Sequence, residues 1–394
     1  MDIKKRKSIV LIAILFSCIF LTSIIKPISA SNETNQIYWG AWVGNSHIGN
    51  YNLLTNFEGQ VGKGVSIWNW IQLWNRPQDS ENIPNFDTAL MNQARNHGVI
   101  PMVSWGPESG NPNFPFYNLK SIIDGSQDAY LIKWGQDSAK WGHPYFVRLM
   151  WEFTGSWTYD KSSKTGIYPW GENNSPQLFV QAWQHVVDTV RASGGTQISW
   201  VWCTGDVGDS VSVLRAVYPG DSYVDWVGTD IYVNQGQTFD QAAQPELNNI
   251  RTVAPNKPVM IPETAYVGAD SSNYWNNLLT NVLPNSYSYV KAVVIWEMPS
   301  GGFTVVDSKT LSSFGQAILS SYYSPNVFSN LNNSPIDNLR STGENPNPNK
   351  ASTSPSGNSN DSVHFAPTVA AVSVTVVVVI VGIGLLVFFK KIKR

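Results

Sequence analysis

Eight short apolar runs, spaced by stretches with helical periodicity, constrain this chain more than any other feature. The runs are Ile37–Val43, Val65–Trp70, Val99–Trp105, Tyr145–Glu152, Ile198–Cys203, Val224–Tyr232, Pro258–Thr264 and Lys291–Met298. Most are rich in Val, Ile and Trp with little polar alternation, the pattern of parallel strands covered on both faces. Helical patterns occupy the gaps. Phe86–His97 stops at Gly98, and Gln127–Trp141 stops at Gly142, as helices capped by glycine do. Ser175-Pro176 supplies an N-cap and a first-turn proline for a third helix, which runs to Ala192 before Gly194-Gly195. Shorter patterns lie at Asn249–Val253, Asn273–Val282 and Leu311–Tyr322. Parallel neighbours need crossover connections, so the strand–helix repeat predicts an α/β fold, a (β/α)8 TIM barrel. A doubly wound open sheet is the alternative. The absence of a glycine-rich phosphate loop after the first run weighs against it.

The two ends read differently from the middle. A basic cluster at Lys4–Lys7, an apolar run from Ile9 to Ile25 and the small-residue exit Ile28-Ser29-Ala30 predict a signal peptide over residues 1–30. An uncleaved N-terminal anchor is the alternative. A second apolar run, 365–389, carries no charge and is followed by the basic tail 390–394. About 20 apolar residues span a bilayer core, and basic flanks favour the cytoplasmic side. The expected topology is an extracellular domain at the cell surface, held in the membrane through one C-terminal transmembrane helix. Residues 326–364 are rich in Asn, Ser, Pro and Thr and predict an extended stalk. That leaves 31–325 for the barrel. Potential glycosylation sequons stand at Asn32, Asn173, Asn332 and Asn360.

Composition narrows the function. The net charge is −2 and no basic stripe is present, so no nucleic-acid partner is expected. Between residues 31 and 325 Cys203 is the one cysteine, which excludes a disulfide within that domain. The five histidines have no ligand spacing, so neither a metal nor another cofactor is expected. A monomer is the expected state. The anomaly is 17 tryptophans and 16 tyrosines in a chain with 14% charged residues. Such rings either fill a core or stack on the C–H faces of sugars, and composition does not choose between the two.

In a TIM barrel the chemistry gathers at the C-terminal ends of the strands. There the fourth run ends in Glu152 and the seventh in Pro262-Glu263-Thr264. A carboxylate at the end of a buried run is costly unless it is paired or used. Two of them facing each other across the mouth fit glycoside hydrolysis with retention, which needs two carboxyls about 5–5.5 Å apart. The structural alternative makes either glutamate an ion-pair partner of Arg148.

The stretch from Arg148 to Trp202 resembles glycoside hydrolase family 26. The residues that carry the likeness are Arg148, Glu152, Gly155, Trp157, Tyr168-Pro169-Trp170-Gly171, Asn174-Ser175-Pro176, Phe179, Trp183-Gln184-His185-Val186, Asp188 and Trp200-Val201-Trp202. Asp230-Ile231-Tyr232, Glu263 and Trp296 continue it. The resemblance implies that Glu152 is the acid/base and Glu263 the nucleophile, with Tyr232 hydrogen-bonded to the nucleophile. It implies sugar-binding walls at Trp157 and Trp296, and substrate-site positions for Arg148, Trp151 and Trp170. Two residues depart from the family pattern. Trp151 stands where the mannanases of the family have His, which puts mannose selectivity in question. Glu297 follows Trp296, either in contact with substrate or exposed on the loop. The implied activity is an endo-acting retaining β-glycosidase for a polysaccharide such as β-1,4-mannan. A β-1,3-1,4-glucan or xylan substrate is the runner-up. A non-catalytic surface carbohydrate-binding protein and a structural surface protein are the rivals from other classes.

Overall fold

The computed structural model describes residues 36–44, 49–74, 86–107, 118–153, 170, 175–205, 208–268 and 271–339. The expected signal peptide, the span at 365–389, its basic tail and Trp157 lie outside those residues. Among the described residues no helix is long and apolar enough to cross a membrane.

Eight parallel strands close into a barrel with helices in the connections. The strands are β1 (Ile37–Val43), β2 (Ile67–Leu73), β3 (Ile100–Gly106), β4 (Tyr145–Leu149), β5 (Ile198–Thr204), β6, β7 (Val259–Val267) and β8 (Val290–Glu297). Strand β6 comes in two halves, Trp226–Thr229 and Ile231–Asn234, interrupted at Asp230. Each strand pairs in parallel with the next, and β8 closes the ring on β1 from Tyr38↔Ala292 to Val43↔Glu297. β1, β3 and β5 are buried along their whole length, as the near-continuous apolar runs require.

The helices follow their sequence signals. α1 (Tyr51–Val61) and α2 (Thr88–His97) flank β2, with Gly98 ending α2. α3 (Leu119–Ile123) and α4 (Asp128–Trp141) precede β4. α5 (Pro176–Ala192) starts where Ser175 accepts from the Leu178 amide at 3.2 Å. Its Phe179, Ala182, Trp183, Val186, Val187 and Val190 form one apolar stripe toward the barrel. α1, α3 and α6 (Val211–Val217) were not foreseen, and α7 (Phe239–Val253) only in part. Only the last turn of α7 carried a recognised pattern, because Pro245 interrupts the helical signal inside it. A capping box between Thr238 and Gln241 starts the helix all the same.

The tryptophans resolve the ambiguity left by composition. Among the described residues every tryptophan except Trp296 is buried, twelve of them fully. Each such ring removes about 150–250 Å² from water, so these residues are chiefly core.

The boundary at 325 needs correction. Residues 326–339, expected to belong to the stalk, pack against the N-terminal ends of the strands. Phe328, Leu331 and Ile336 are buried. The Trp226 indole N–H donates to the Ile336 carbonyl at 2.7 Å, and the Ile336 amide donates to Ser199 Oγ at 2.7 Å. Tyr38 donates to the Asp337 carbonyl at 2.8 Å. Polar composition hid three well-spaced apolar residues that are enough to dock the segment.

Candidate active site

The site grows out of three strand ends. β4 stops at Leu149, earlier than the sequence pattern implied, and Glu152 lies beyond it in a tight turn. Met150 and Glu152 both adopt left-handed backbone conformations, with φ of 41° and 51°. For residues other than glycine such a conformation costs on the order of 1–3 kcal/mol and persists only where its surroundings fix it. Here the Met150 amide donates to the Trp105 carbonyl at 2.9 Å and the Glu152 amide to the Cys203 carbonyl at 3.0 Å. Phe153 packs on Phe179 of α5 and on Trp202 of β5. The turn breaks the two-residue period that would have placed Glu152 by strand geometry alone.

Glu263 sits within β7 where the pairing with β8 slips between Ile261 and Thr264. A bulge of this kind re-aims side chains. Gly228 of β6 lets the chain approach, since a Cβ there would lie 2.7 Å from Pro262 Cγ. Glu263 is 4% exposed and Glu152 is half-buried at the mouth.

Between them stands Asp230, at the break in β6 and fully buried. One carboxylate oxygen from each of Glu152, Asp230 and Glu263 lies within 4.8 Å of the others. Arg148, also fully buried, pairs with both Asp230 and Glu263. Its Nη1 also donates to Ser104 Oγ at 3.2 Å. Burial pulls the Arg148 guanidinium down, but Asp230 and then Cys203, Glu263 and Glu152 hold it well above its ordinary range. Proximity alone would let the three carboxyls hold a cation; Arg148 already supplies that charge to two of them. Burial pushes the Asp230 carboxyl well up; Arg148 opposes this, while Glu263 and Glu152 add to it, and Asp230 shares a hydrogen bond with Glu152. Among the three carboxyls around one guanidinium, Asp230 is the one that burial and its two carboxylate neighbours push toward the protonated form.

Tyr232, in the second half of β6, donates to Glu263 Oε2 at 2.7 Å. Burial, and then the charge of Glu263, keeps this phenol far above its usual range, so it remains a donor. Trp296 is partly exposed and stacks on Trp42 with ring centroids 3.9 Å apart and planes at 10°.

The other expected contacts are placed differently. Arg148 lies beneath the carboxylates with no exposed surface, so it supports the site and does not face a substrate. Trp151 and Trp170 are 1% and 0% exposed and pack on each other, because the turn at Glu152 folds them inward. Glu297, the last residue of β8, does not lie exposed on the loop. It is buried, accepting from Thr304 Oγ1 at 2.5 Å and from the Val305 amide at 2.8 Å. Burial raises its carboxyl to about 7 despite those two bonds. Asp230 was passed over as a site residue. Its signal was the one used for the glutamates, a carboxylate set in a buried run.

Comparison with known proteins follows the same lines. The family described as Glycosyl hydrolase family 26 matches residues 124–276. Endoglucanase H of Acetivibrio thermocellus is 28% identical over 289 residues, covering 68% of this chain and 28% of that protein. The chain thus spans little more than a quarter of that relative's length. Among solved structures, a GH26 β-mannanase from Bacteroides ovatus superposes with a TM-score of 0.57 at 17% identity, over 74% of this chain and 91% of that one. The GH26 domain of an endo-β-mannanase/endo-β-glucanase from Prevotella bryantii gives 0.56 at 17% identity, over 75% and 92%. A Bacillus subtilis mannanase gives 0.54 at 20% identity, over 75% and 88%. At these identities the structural likeness is one of fold.

Proposed function

We propose that this chain, a member of glycosyl hydrolase family 26 through residues 124–276, is an endo-acting retaining β-glycosidase with Glu263 as nucleophile and Glu152 as acid/base. The observation that carries the reading is the separation of their carboxylate oxygens, within 4.8 Å. Retaining enzymes hold the two carboxyls about 5–5.5 Å apart, whereas inverting enzymes leave about 6.5–9.5 Å for a water.

In the first step a Glu263 oxygen attacks the anomeric carbon while Glu152 gives its proton to the departing glycosidic oxygen. The Glu152–Asp230 hydrogen bond links Glu152 to the carboxyl that burial pushes well up, a route by which Glu152 is supplied with the proton it gives. Arg148 and Tyr232 hold Glu263 in place by their bonds to its two oxygens. In the second step Glu152 takes a proton from water, the water attacks the same carbon, and Glu263 leaves as carboxylate. Two inversions give net retention. The Trp296 face beside Trp42 is an apolar platform suited to a sugar ring.

β-1,4-Mannan is the first candidate substrate, in keeping with the mannanases that share the fold. A β-1,3-1,4-glucan is the second reading, favoured by Trp151, which is buried where family mannanases place a sugar-binding His. Xylan is the further alternative. The apolar runs at both ends support, within the same proposal, a surface protein anchored through its C-terminal helix. The test is a screen of the soluble domain against mannan, lichenan and xylan, with product anomers read early by proton NMR. Release of β anomers from one of these glycans is the expected result. Release of α anomers, or no cleavage of any β-glycan, overturns the proposal.

A further inference from the structure

Trp170 and Trp151 have no surface to offer a sugar, yet they meet at the residue next to Glu152. The Trp170 indole N–H donates to the Trp151 carbonyl at 2.9 Å. That carbonyl belongs to the central residue of the turn whose two flanks, Met150 and Glu152, are left-handed. The two indoles pack with centroids 5.0 Å apart at 55°. The Arg148 guanidinium also lies over the Trp151 ring, 5.6 Å from its centroid. Gly106, the last residue of β3, makes room for the pair. A Cβ there would sit 2.7 Å from Trp170 Cη2 and 3.0 Å from Trp151 Cζ3.

A strained turn keeps its shape only while its neighbours hold it. The Trp151 carbonyl has in Trp170 a donor from a distant part of the chain, 19 residues on. We infer that Trp170, seated against Gly106 and Trp151, is a positioning residue that fixes the turn and thereby the aim of Glu152 at the leaving-group oxygen. The inference rests on the reading of Glu152 as acid/base. It also gives Trp151 and Trp170 a role in place of sugar contact.

The experiment compares wild type, W170F, G106A and E152A on aryl β-cellobiosides and β-mannobiosides, using whichever series the wild type accepts. W170F removes the indole donor, and G106A pushes on both rings without altering a polar group. Misaiming an acid matters most where the leaving group needs its proton. For the 4-methylumbelliferyl glycoside, kcat/KM should fall by about 10–100-fold in both variants, the scale of a misplaced general acid. For the 2,4-dinitrophenyl glycoside, kcat/KM should stay within about 3-fold, because that leaving group departs unaided. With the same substrate kcat and KM should drop together, since the misaimed Glu152 then slows deglycosylation and the intermediate accumulates. E152A should show the same pattern more strongly. An equal fall for both leaving groups, or no fall in either variant, overturns the inference. If W170F does not fold, G106A is judged by the same two ratios. If E152A shows the leaving-group dependence and the positioning variants do not, the inference alone fails. If the wild type hydrolyses no β-glycoside, both it and the proposed function fail.

Discussion

Replacing Arg148 with Met tests the charge balance beneath the site. Arg148 is fully buried and paired with Asp230 and Glu263, which are themselves 0% and 4% exposed. Met has a similar length but no charge, so R148M leaves two buried carboxyls without their cation. Breaking a buried pair in this way costs about 3–5 kcal/mol. For a domain of about 300 residues the unfolding entropy is about 0.6 kcal/mol/K, so each kcal/mol lowers the melting temperature by about 1.6 °C and the fall should be roughly 5–8 °C near neutral pH. The loss should also depend on pH in a defined direction. Burial already holds the Asp230 carboxyl well above its ordinary range, against the opposing pull of Arg148. A carboxyl raised on folding adds stability that is complete below its unfolded value, about 3.9, and is lost as pH rises through its folded value. Removing Arg148 removes the opposing pull and raises Asp230 further. The variant should therefore lose more stability at a pH above the folded value of Asp230 than at about pH 4, where the folded carboxyl keeps its proton in both proteins. Scanning calorimetry of both proteins at the two pH values reads the difference directly. An equal deficit at both pH values would mean that lost packing, not charge, explains the effect. A melting temperature unchanged at neutral pH would refute the account of the cluster.

Other outcomes follow from parts of the fold outside the carboxyl cluster. Glu297 is raised to about 7 by burial, so wild-type stability should fall as pH rises through about 7. E297Q cannot ionise and should lack that fall; parallel melting profiles for the two proteins would contradict the assignment. Ile336 is 2% exposed beneath the barrel, so I336A should cost about 2–5 kcal/mol in urea unfolding. A loss below about 0.5 kcal/mol, the range of surface changes, would mean that the segment is not docked in solution.

What the sequence revealed, and what it hid, divides along physical lines. β1 was legible residue for residue, because a strand buried on both faces leaves an unbroken apolar run. Gly98, Gly142 and Ser175-Pro176 marked helix ends through local backbone preferences, and the structure uses all three. Glu152 and Glu263 stood out because a carboxylate at the end of a buried run is conspicuous, whereas Tyr232 entered through the family resemblance, which implied the bond to Glu263 that the structure contains. Asp230 carried the same signal and was read as part of a motif only. The positions that misled depend on geometry with no local period. The left-handed turn at Met150 and Glu152 ended β4 early and folded Trp151 inward. Trp170 meets that turn from 19 residues along the chain, so nothing in its own sequence neighbourhood announced a core role. An exposed loop position was one of the two readings of Glu297 because its partners, Thr304 and Val305, become neighbours only through the following turn.

The division of labour between the two glutamates is tested most directly by chemical rescue. E263A and E152A would each be assayed with an activated aryl β-glycoside in the presence of azide, and the glycosyl azide anomer read by proton NMR. In E263A the cavity left by the nucleophile admits azide to the face opposite the leaving group. The product predicted is the α-azide, formed by one inversion. In E152A the covalent intermediate still forms on Glu263, azide displaces it, and the product predicted is the β-azide, formed by two inversions. A β-azide from E263A would contradict the assignment of Glu263 as nucleophile.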